Sequence, residues 1–163
     1  MKIKGIIFED FINYKKASMT IMMPQCDFKC DKENKCNVCQ NSHLANEPDI
    51  DTDIKNVVDN YYLTNDITES IVFQGLEPFD SWEDLKEFIK YFITVSNDDI
   101  VIYTGYTESE IKDKCEYLAD LVGNKNNCIV KFGRYIPNRE SKYDNLLEIN
   151  LASDNQYSLL INK

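Results

Sequence analysis

Short apolar runs alternate with segments of helical period along most of this chain. Residues 18–23 (SMTIMM) form an apolar run stopped by Pro24, which predicts a strand feeding directly into a cysteine-rich loop at 24–41. From Asp51 onward, Ile54, Val57, Val58, Tyr61 and Tyr62 recur at helical spacing behind an Asp/Thr cap, so one helix face carries them all. Residues 70–73 (SIVF) read as a buried strand interrupted by the turn residues Gln74-Gly75-Leu76-Glu77-Pro78. Ser81 and Asp84 resemble a shortened capping box ahead of a second helix with Leu85, Phe88, Ile89 and Phe92 at helical spacing. Residues 99–104 (DIVIYT) predict the next strand, ended by Gly105. The pair Thr107 and Glu110 then caps a third helix carrying Ile111, Cys115, Leu118 and Val122. Residues 128–132 (CIVKF) supply another strand, and 146–151 and 157–161 supply two more short apolar runs.

This strand–helix alternation demands crossover connections and a mostly parallel sheet. The units are too few for a closed eight-stranded barrel of about 250 residues. The fold class expected is therefore α/β, an open, mostly parallel partial (β/α) barrel built as a single domain over 1–163. No repeat, low-complexity tract or linker interrupts it. Ligands bind such sheets beyond the carboxyl ends of the strands. The cysteine loop, GLEP and TGYT all follow strands, so they are expected to converge.

Composition narrows the class. At 43% hydrophobic and 12% aromatic residues the chain can bury a core, and no apolar run approaches the roughly 18 residues of a membrane span. Glu9 and Asp10 break the apolar stretch of the opening MKIKGIIFEDFINYKK, which gives no secretory signal pattern and leads to a cytoplasmic expectation. A formal net charge of −10 repels phosphate backbones and anionic lipid, so neither nucleic acid nor a membrane is expected as a direct partner.

The candidate chemistry lies in Cys26-x3-Cys30-x5-Cys36-x2-Cys39, four soft donors in one loop after a strand. Thiolates suit zinc or an iron–sulfur cluster, and composition alone leaves both open. A structural zinc knuckle normally separates its cysteine hairpins by a longer spacer than five residues. Lys29, Lys32 and Lys35, interleaved with the cysteines, are expected to lower the thiol pKa values and offset negative charge. Cys115 and Cys128 read as small apolar core residues.

CDFKC and VCQN resemble the two halves of the radical S-adenosylmethionine cysteine motif, C-x3-C-x2-C, with an insertion between them. FQGLEP resembles that family's Gly-Gly-Glu-Pro turn. IVIYTGYT, KFGRYIPN and LASDNQ resemble segments of the small activating enzymes of anaerobic ribonucleotide reductase. The likeness covers most of residues 20–160. It departs from the pattern in the eight residues between Cys30 and Cys39, in Leu76 where a second glycine would stand, and in Phe132 where an acid would precede the glycine.

The resemblance implies a 4Fe–4S cluster held by three cysteines, with one iron open to the amino and carboxylate groups of S-adenosylmethionine. An electron passed into the sulfonium would then cleave its bond to C5′. Cys26, Cys30 and Cys39 keep the CDFKC half and the terminal C-x-N, with Cys36 as the alternate ligand. Gly75 and Glu77 would line the methionine end, with Glu77 attracting the ammonium group; Thr104 and Gly105 would face the ribose, and Val38 the adenine. An exposed turn acid and plain turn glycines are the competing readings. Lys131 and Arg134 would act as a solvated surface pair, or would supply a cation for the methionine carboxylate or a partner's backbone. His43 is expected as an exposed loop residue; Met19, Met22, Met23 and Trp82 are expected in packing roles. The implied partners are a glycyl-radical enzyme such as anaerobic ribonucleotide reductase and an electron donor such as flavodoxin or ferredoxin. The alternatives are a radical enzyme acting on a small molecule and a non-catalytic zinc-binding interaction domain.

Overall fold

The computed structural model describes residues 1–162, so the last residue of the domain expected over 1–163 lies outside the described residues. The chain runs β1 (Lys2–Ile3), β2 (Gly5–Asp10), β3 (Ser18–Met23), α1 (Lys29–Asn34), β4 (Ile50–Asp51), α2 (Ile54–Val57) and β5 (Ser70–Gly75). It continues through α3 (Trp82–Val95), β6 (Asp99–Tyr103), α4 (Lys112–Val122), β7 (Cys128–Phe132), β8 (Lys142–Asp144), β9 (Ile149–Leu151) and β10 (Tyr157–Leu160). Six strands form one sheet in the order β10-β7-β6-β5-β3-β2. The inner four, β3, β5, β6 and β7, are mutually parallel, while β2 and β10 are antiparallel edges. The architecture is thus mixed α/β around a mostly parallel sheet.

Alternation along the strands decides what each face does. Met19, Ile21 and Met23 of β3, Ile71 and Phe73 of β5, Ile100 and Ile102 of β6, and Val130 and Phe132 of β7 join one core cluster with Leu85, Phe88, Ile89 and Phe92 of α3 and with Leu118 and Val122 of α4. The opposite face packs Val72, Val101 and Ile129 against Tyr14, Leu147 and Leu151. A parallel sheet covered on both faces needs such continuous apolar runs, which is why these strands read so plainly from sequence. At the carboxyl ends the second face changes character: register sets Met22 beside Gln74 and Tyr103 beside Lys131.

Several local expectations change. A π-helical turn over Val58–Tyr62 continues α2. Its wider winding turns Tyr61 out to 42% exposure while Val57, Val58 and Tyr62 stay buried, so Tyr61 does not share their face. The cap of α2 is Asp53, whose carboxylate accepts from Asn56 N at 2.9 Å. The Ser81 capping box does not form. A 3-10 turn over Pro78–Ser81 leads into α3, and the capping acceptor is Glu77, bonded from Phe79 N. The Thr107–Glu110 pair does close reciprocally, but on the 3-10 turn Glu108–Glu110, one residue ahead of Ile111. Of the run at 146–151 only Ile149–Leu151 is extended, because Asp144 Oδ1 accepts from Leu146 N and Leu147 N and turns the chain. The edge strand β2, which the apolar pattern did not predict, has a register irregularity between Ile7 and Asp10. Among the described residues no helix is long and apolar enough to cross a membrane.

Candidate metal centre at the carboxyl ends of the parallel strands

Because β3, β5, β6 and β7 are parallel, the segments that follow them emerge at one edge of the sheet. They enclose a cavity of ≈ 510 Å³, within the ~300–1,000 Å³ typical of small-ligand sites. Cys26, Cys30 and Cys39 line it together with Gly75, Glu77, Thr104 and Gly105. The convergence of cysteine loop, GLEP and TGYT is therefore met. Cys36 is exposed and lies outside this lining, its thiol directed at Asn34 O at 3.3 Å. Val38, expected beside the adenine, is half-buried and also lies outside the lining. Met19 and Met23 are core residues as expected, but Met22, on the other face, lines the cavity. His43 is exposed at the rim, and Trp82 stacks on Phe79.

The insertion between Cys30 and Cys39 folds into α1 and a turn. It buries no side chain, so polar contacts hold it. Asn34 Nδ2 donates to Cys30 O at 2.7 Å, and Asp27 N donates to Asp80 Oδ2 at 3.0 Å. Asp31 Oδ1 accepts from Val38 N and Cys39 N, both at 2.8 Å. Beyond Cys39, Asn41 Nδ2 donates to Gly75 O at 2.8 Å and so ties the loop to the end of β5. Gly75 has φ +90, and a Cβ there would meet Met22 Cα at 3.0 Å, so this position requires glycine. Gly105 has no positive φ. A Cβ on it would sit 3.6 Å from Glu77 Oε2 and 3.7 Å from Cys30 Sγ, filling space inside the site.

Glu77 is 7% exposed, not a solvated turn acid. Its Oε1 accepts from Thr104 Oγ1 at 2.7 Å and Phe79 N at 3.1 Å, and its Oε2 accepts from Gly105 N at 2.9 Å. Burial pushes its carboxyl up to about 7, against the pull of these three donors. Lys131 is likewise buried, which removes the surface-pair alternative for it. It lines the cavity and donates to Gly133 O at 3.3 Å; desolvation brings its ammonium down to about 8 although Glu77 and Cys30 oppose this. Arg134 is buried too. Its guanidinium forks onto Glu110 at 2.6 and 2.9 Å, and Nε lies 3.1 Å from Glu33 of α1 without hydrogen-bond alignment.

Burial also governs the thiols, in the direction opposite to that expected from the neighbouring lysines. Desolvation raises Cys30 and Cys39, and it pushes Cys26 up to about 12, helped by Glu77 and Asp80 and opposed by the Phe28 N–H. Lys32 and Lys35 are exposed, and Lys29 lies over the Tyr106 ring and pairs with Glu110. Asp31, Asn41 and Asp80 escaped the sequence reading because polar loop residues carry no periodic signal. Lys131 had one, since it shares the alternation of Ile129 in CIVKF.

Residues 16–157 match a family model described as a 4Fe-4S single cluster domain, and the chain belongs to that family. No curated protein and no solved structure matches it. The residues present fit such a cluster. Three thiols line one cavity, and cysteine thiolates are the ordinary ligands of such clusters.

Proposed function

We propose that this protein is a radical S-adenosylmethionine oxidoreductase that generates a glycyl radical on a partner such as anaerobic ribonucleotide reductase. The sheet is read as an open partial barrel, and its mouth as the place where cluster, S-adenosylmethionine and partner meet. One observation carries the reading: three clustered cysteines and the GLEP and TGYT turns, separate in sequence, line the same cavity. Cys26, Cys30 and Cys39 would hold the cluster, with Cys36, which faces away, remaining outside it. When bound, a reduced 4Fe–4S cluster supplies the electron that cleaves the sulfonium bond to C5′.

The chain's own groups bind and orient. Glu77 uses three of about four carboxylate acceptor sites on Thr104, Phe79 and Gly105, which leaves one for an ammonium group. Lys131 places a buried cation in the cavity for a carboxylate. Gly105 keeps the wall beside Cys30 open. Thr104 would approach the ribose from the end of β6. Met22, Leu76 and Leu44 exclude water from the apolar part of the wall.

A glycine-bearing loop suits an open sheet mouth because it brings no side chain past the rim. A partner that supplies the rest of the enclosure fits a cavity left open at the sheet edge. An electron donor such as flavodoxin or ferredoxin completes the requirement. Anaerobic reconstitution should give brown protein with about four irons per chain, which cleaves S-adenosylmethionine to 5′-deoxyadenosine under reductant. Addition of a glycyl-radical reductase should produce an EPR doublet, lost when the partner's glycine is replaced by alanine. Stoichiometric zinc without iron uptake would overturn the reading. Rapid turnover of a metabolite without any protein partner would replace its last step.

A further inference from the structure

The geometry points to Asp31 as a positioning residue that selects which cysteine of the insertion enters the cavity: it turns Cys39 inward and leaves Cys36 outside. This rests on the reading that Cys39 is a cluster ligand.

Two cysteines, Cys36 and Cys39, lie within one short turn, and both could reach a metal from a mobile loop. The turn is wound around Asp31. Cys36 N donates to the Asp31 carbonyl at 3.3 Å, while a single side-chain oxygen, Oδ1, accepts from both Val38 N and Cys39 N at 2.8 Å. The two successive N–H groups must face Asp31, which fixes the backbone on either side of Val38 and therefore the direction of the Cys39 Cα–Cβ bond. Cys39 is half-buried in the cavity wall, whereas Cys36 is exposed and its thiol is directed at Asn34 O.

Asp31 is itself held on α1, in the turn that carries Cys30. The left-handed residues Phe28 and Lys35 bound that helix, and Asn34 Nδ2 is bonded to Cys30 O. One carboxylate thus couples the two ligands across the eight-residue insertion. No apolar side chain of α1 is buried to do this instead. One oxygen accepting two N–H groups at 2.8 Å fixes their direction, and a neutral amide oxygen can take the same place. A ligand-orienting group of this kind typically governs metal affinity by roughly 10–100-fold.

The test uses the full chain with Asp31→Ala and Asp31→Asn, the second keeping an acceptor oxygen. In cluster-free, fully reduced protein, timed maleimide labelling read by mass spectrometry should mark Cys36 first and Cys39 slowly in the parent. Labelling of Cys39 should become roughly tenfold faster in Asp31→Ala and stay near the parent in Asp31→Asn. After anaerobic reconstitution, Asp31→Ala should hold less iron at limiting iron and sulfide, with a broadened EPR signal on reduction. Asp31→Asn should recover the loading. In the Asp31→Ala background, removal of Cys36 should lower iron content further, whereas in the parent it should not. Unchanged Cys39 labelling in Asp31→Ala overturns the positioning role, and so does failure of Asp31→Asn to rescue. Full iron loading of Cys39→Ala in the parent overturns instead the reading of Cys39 as ligand, and leaves the labelling result to stand on its own.

Discussion

The walls of the candidate site belong to two kinds of structure. The strands that form its floor are held by apolar burial on both faces, with Phe73, Phe88, Phe92 and Phe132 fully enclosed. The cysteine loop that forms its roof buries nothing in α1 and depends on ionised and polar groups: Asp31, Asn34, Asn41, Asp80 and the Glu33–Arg134–Glu110 network. Apolar burial does not titrate and is not screened by salt, whereas ion pairs at this exposure are weakened by acid and by ionic strength. The floor is therefore a permanent feature of the fold, and the roof is a conditional one whose order should increase when a cluster ties its thiols together.

The largest expected effect lies in the floor. Phe88→Ala removes a ring packed 5.1 Å from Phe73 and should cost about 3–5 kcal/mol in denaturant unfolding of the cluster-free protein. A comparable loss confined to the loop, detected by hydrogen exchange, would erase the distinction between the two regions. Next comes Glu77, which joins them. Glu77→Ala strands the buried donors of Thr104 and Phe79 and the half-buried N–H of Gly105 and should cost about 1.5–3 kcal/mol, with weaker S-adenosylmethionine binding beyond that.

The same carboxylate predicts a pH trend. Its folded-state value, raised from 4.5 to about 7, means the folded state holds a proton that the unfolded chain has released. Its contribution is fully present below about 4.5 and declines as pH rises towards 7, so a Glu77→Gln variant should show a flatter stability profile across that window.

A smaller effect, of opposite sign in pH, belongs to the roof. Arg134 holds the Glu110 carboxyl down at about 2 from 4.5, so this pair's stabilisation is present above pH 4.5 and is lost as pH falls through 2. Glu110→Gln should cost about 0.5–1 kcal/mol after solvent screening, chiefly as faster proteolysis between residues 24 and 41, and added salt should narrow the gap. The smallest belongs to neither region. Lys112→Ala, which breaks an exposed pair with Glu116 at 3.6 Å, should move the melting midpoint by no more than roughly 1–2 °C.

The floor was legible in the sequence and the roof was not, for one physical reason. Burial of β3, β5, β6, β7, α3 and α4 writes itself as runs or periods of apolar residues, and Ile111, Cys115, Leu118 and Val122 all occupy the core face that their spacing implies. Nothing comparable marks α1, whose sequence KCDKEN is held by polar bonds of Asp31 and Asn34 within the loop and by ion pairs of Lys29 and Glu33 with Glu110 and Arg134. Cysteine spacing located the centre but said nothing of Asp31. Lys131 and Arg134 read almost equally as cations for a ligand or partner and as a solvated surface pair, because charge alone does not say which way a side chain faces. The alternation of CIVKF directs Lys131 towards the cavity, and only the fold brings Glu110 and Glu33 to Arg134. Val58–Tyr62 failed differently: a regular helical period places Tyr61 inward, and a single wide turn reverses it.

The irregular edge strand β2 has a consequence for how copies of this chain behave towards one another. Among the described residues its outer edge pairs with no strand, and Phe8, Phe11 and Ile12 are exposed on and beyond it, which is the arrangement that invites sheet-to-sheet association. Asp10 ends that hazard. It is 4% exposed and accepts from Ile12 N, Asn13 N, Asn13 Nδ2 and Thr20 Oγ1, bending the chain out of line before the apolar pair can extend the edge. Colloidal behaviour is thus tied to one inward-facing acid. In a concentrated solution, neutralising it should lengthen the sticky edge well before it unfolds the sheet.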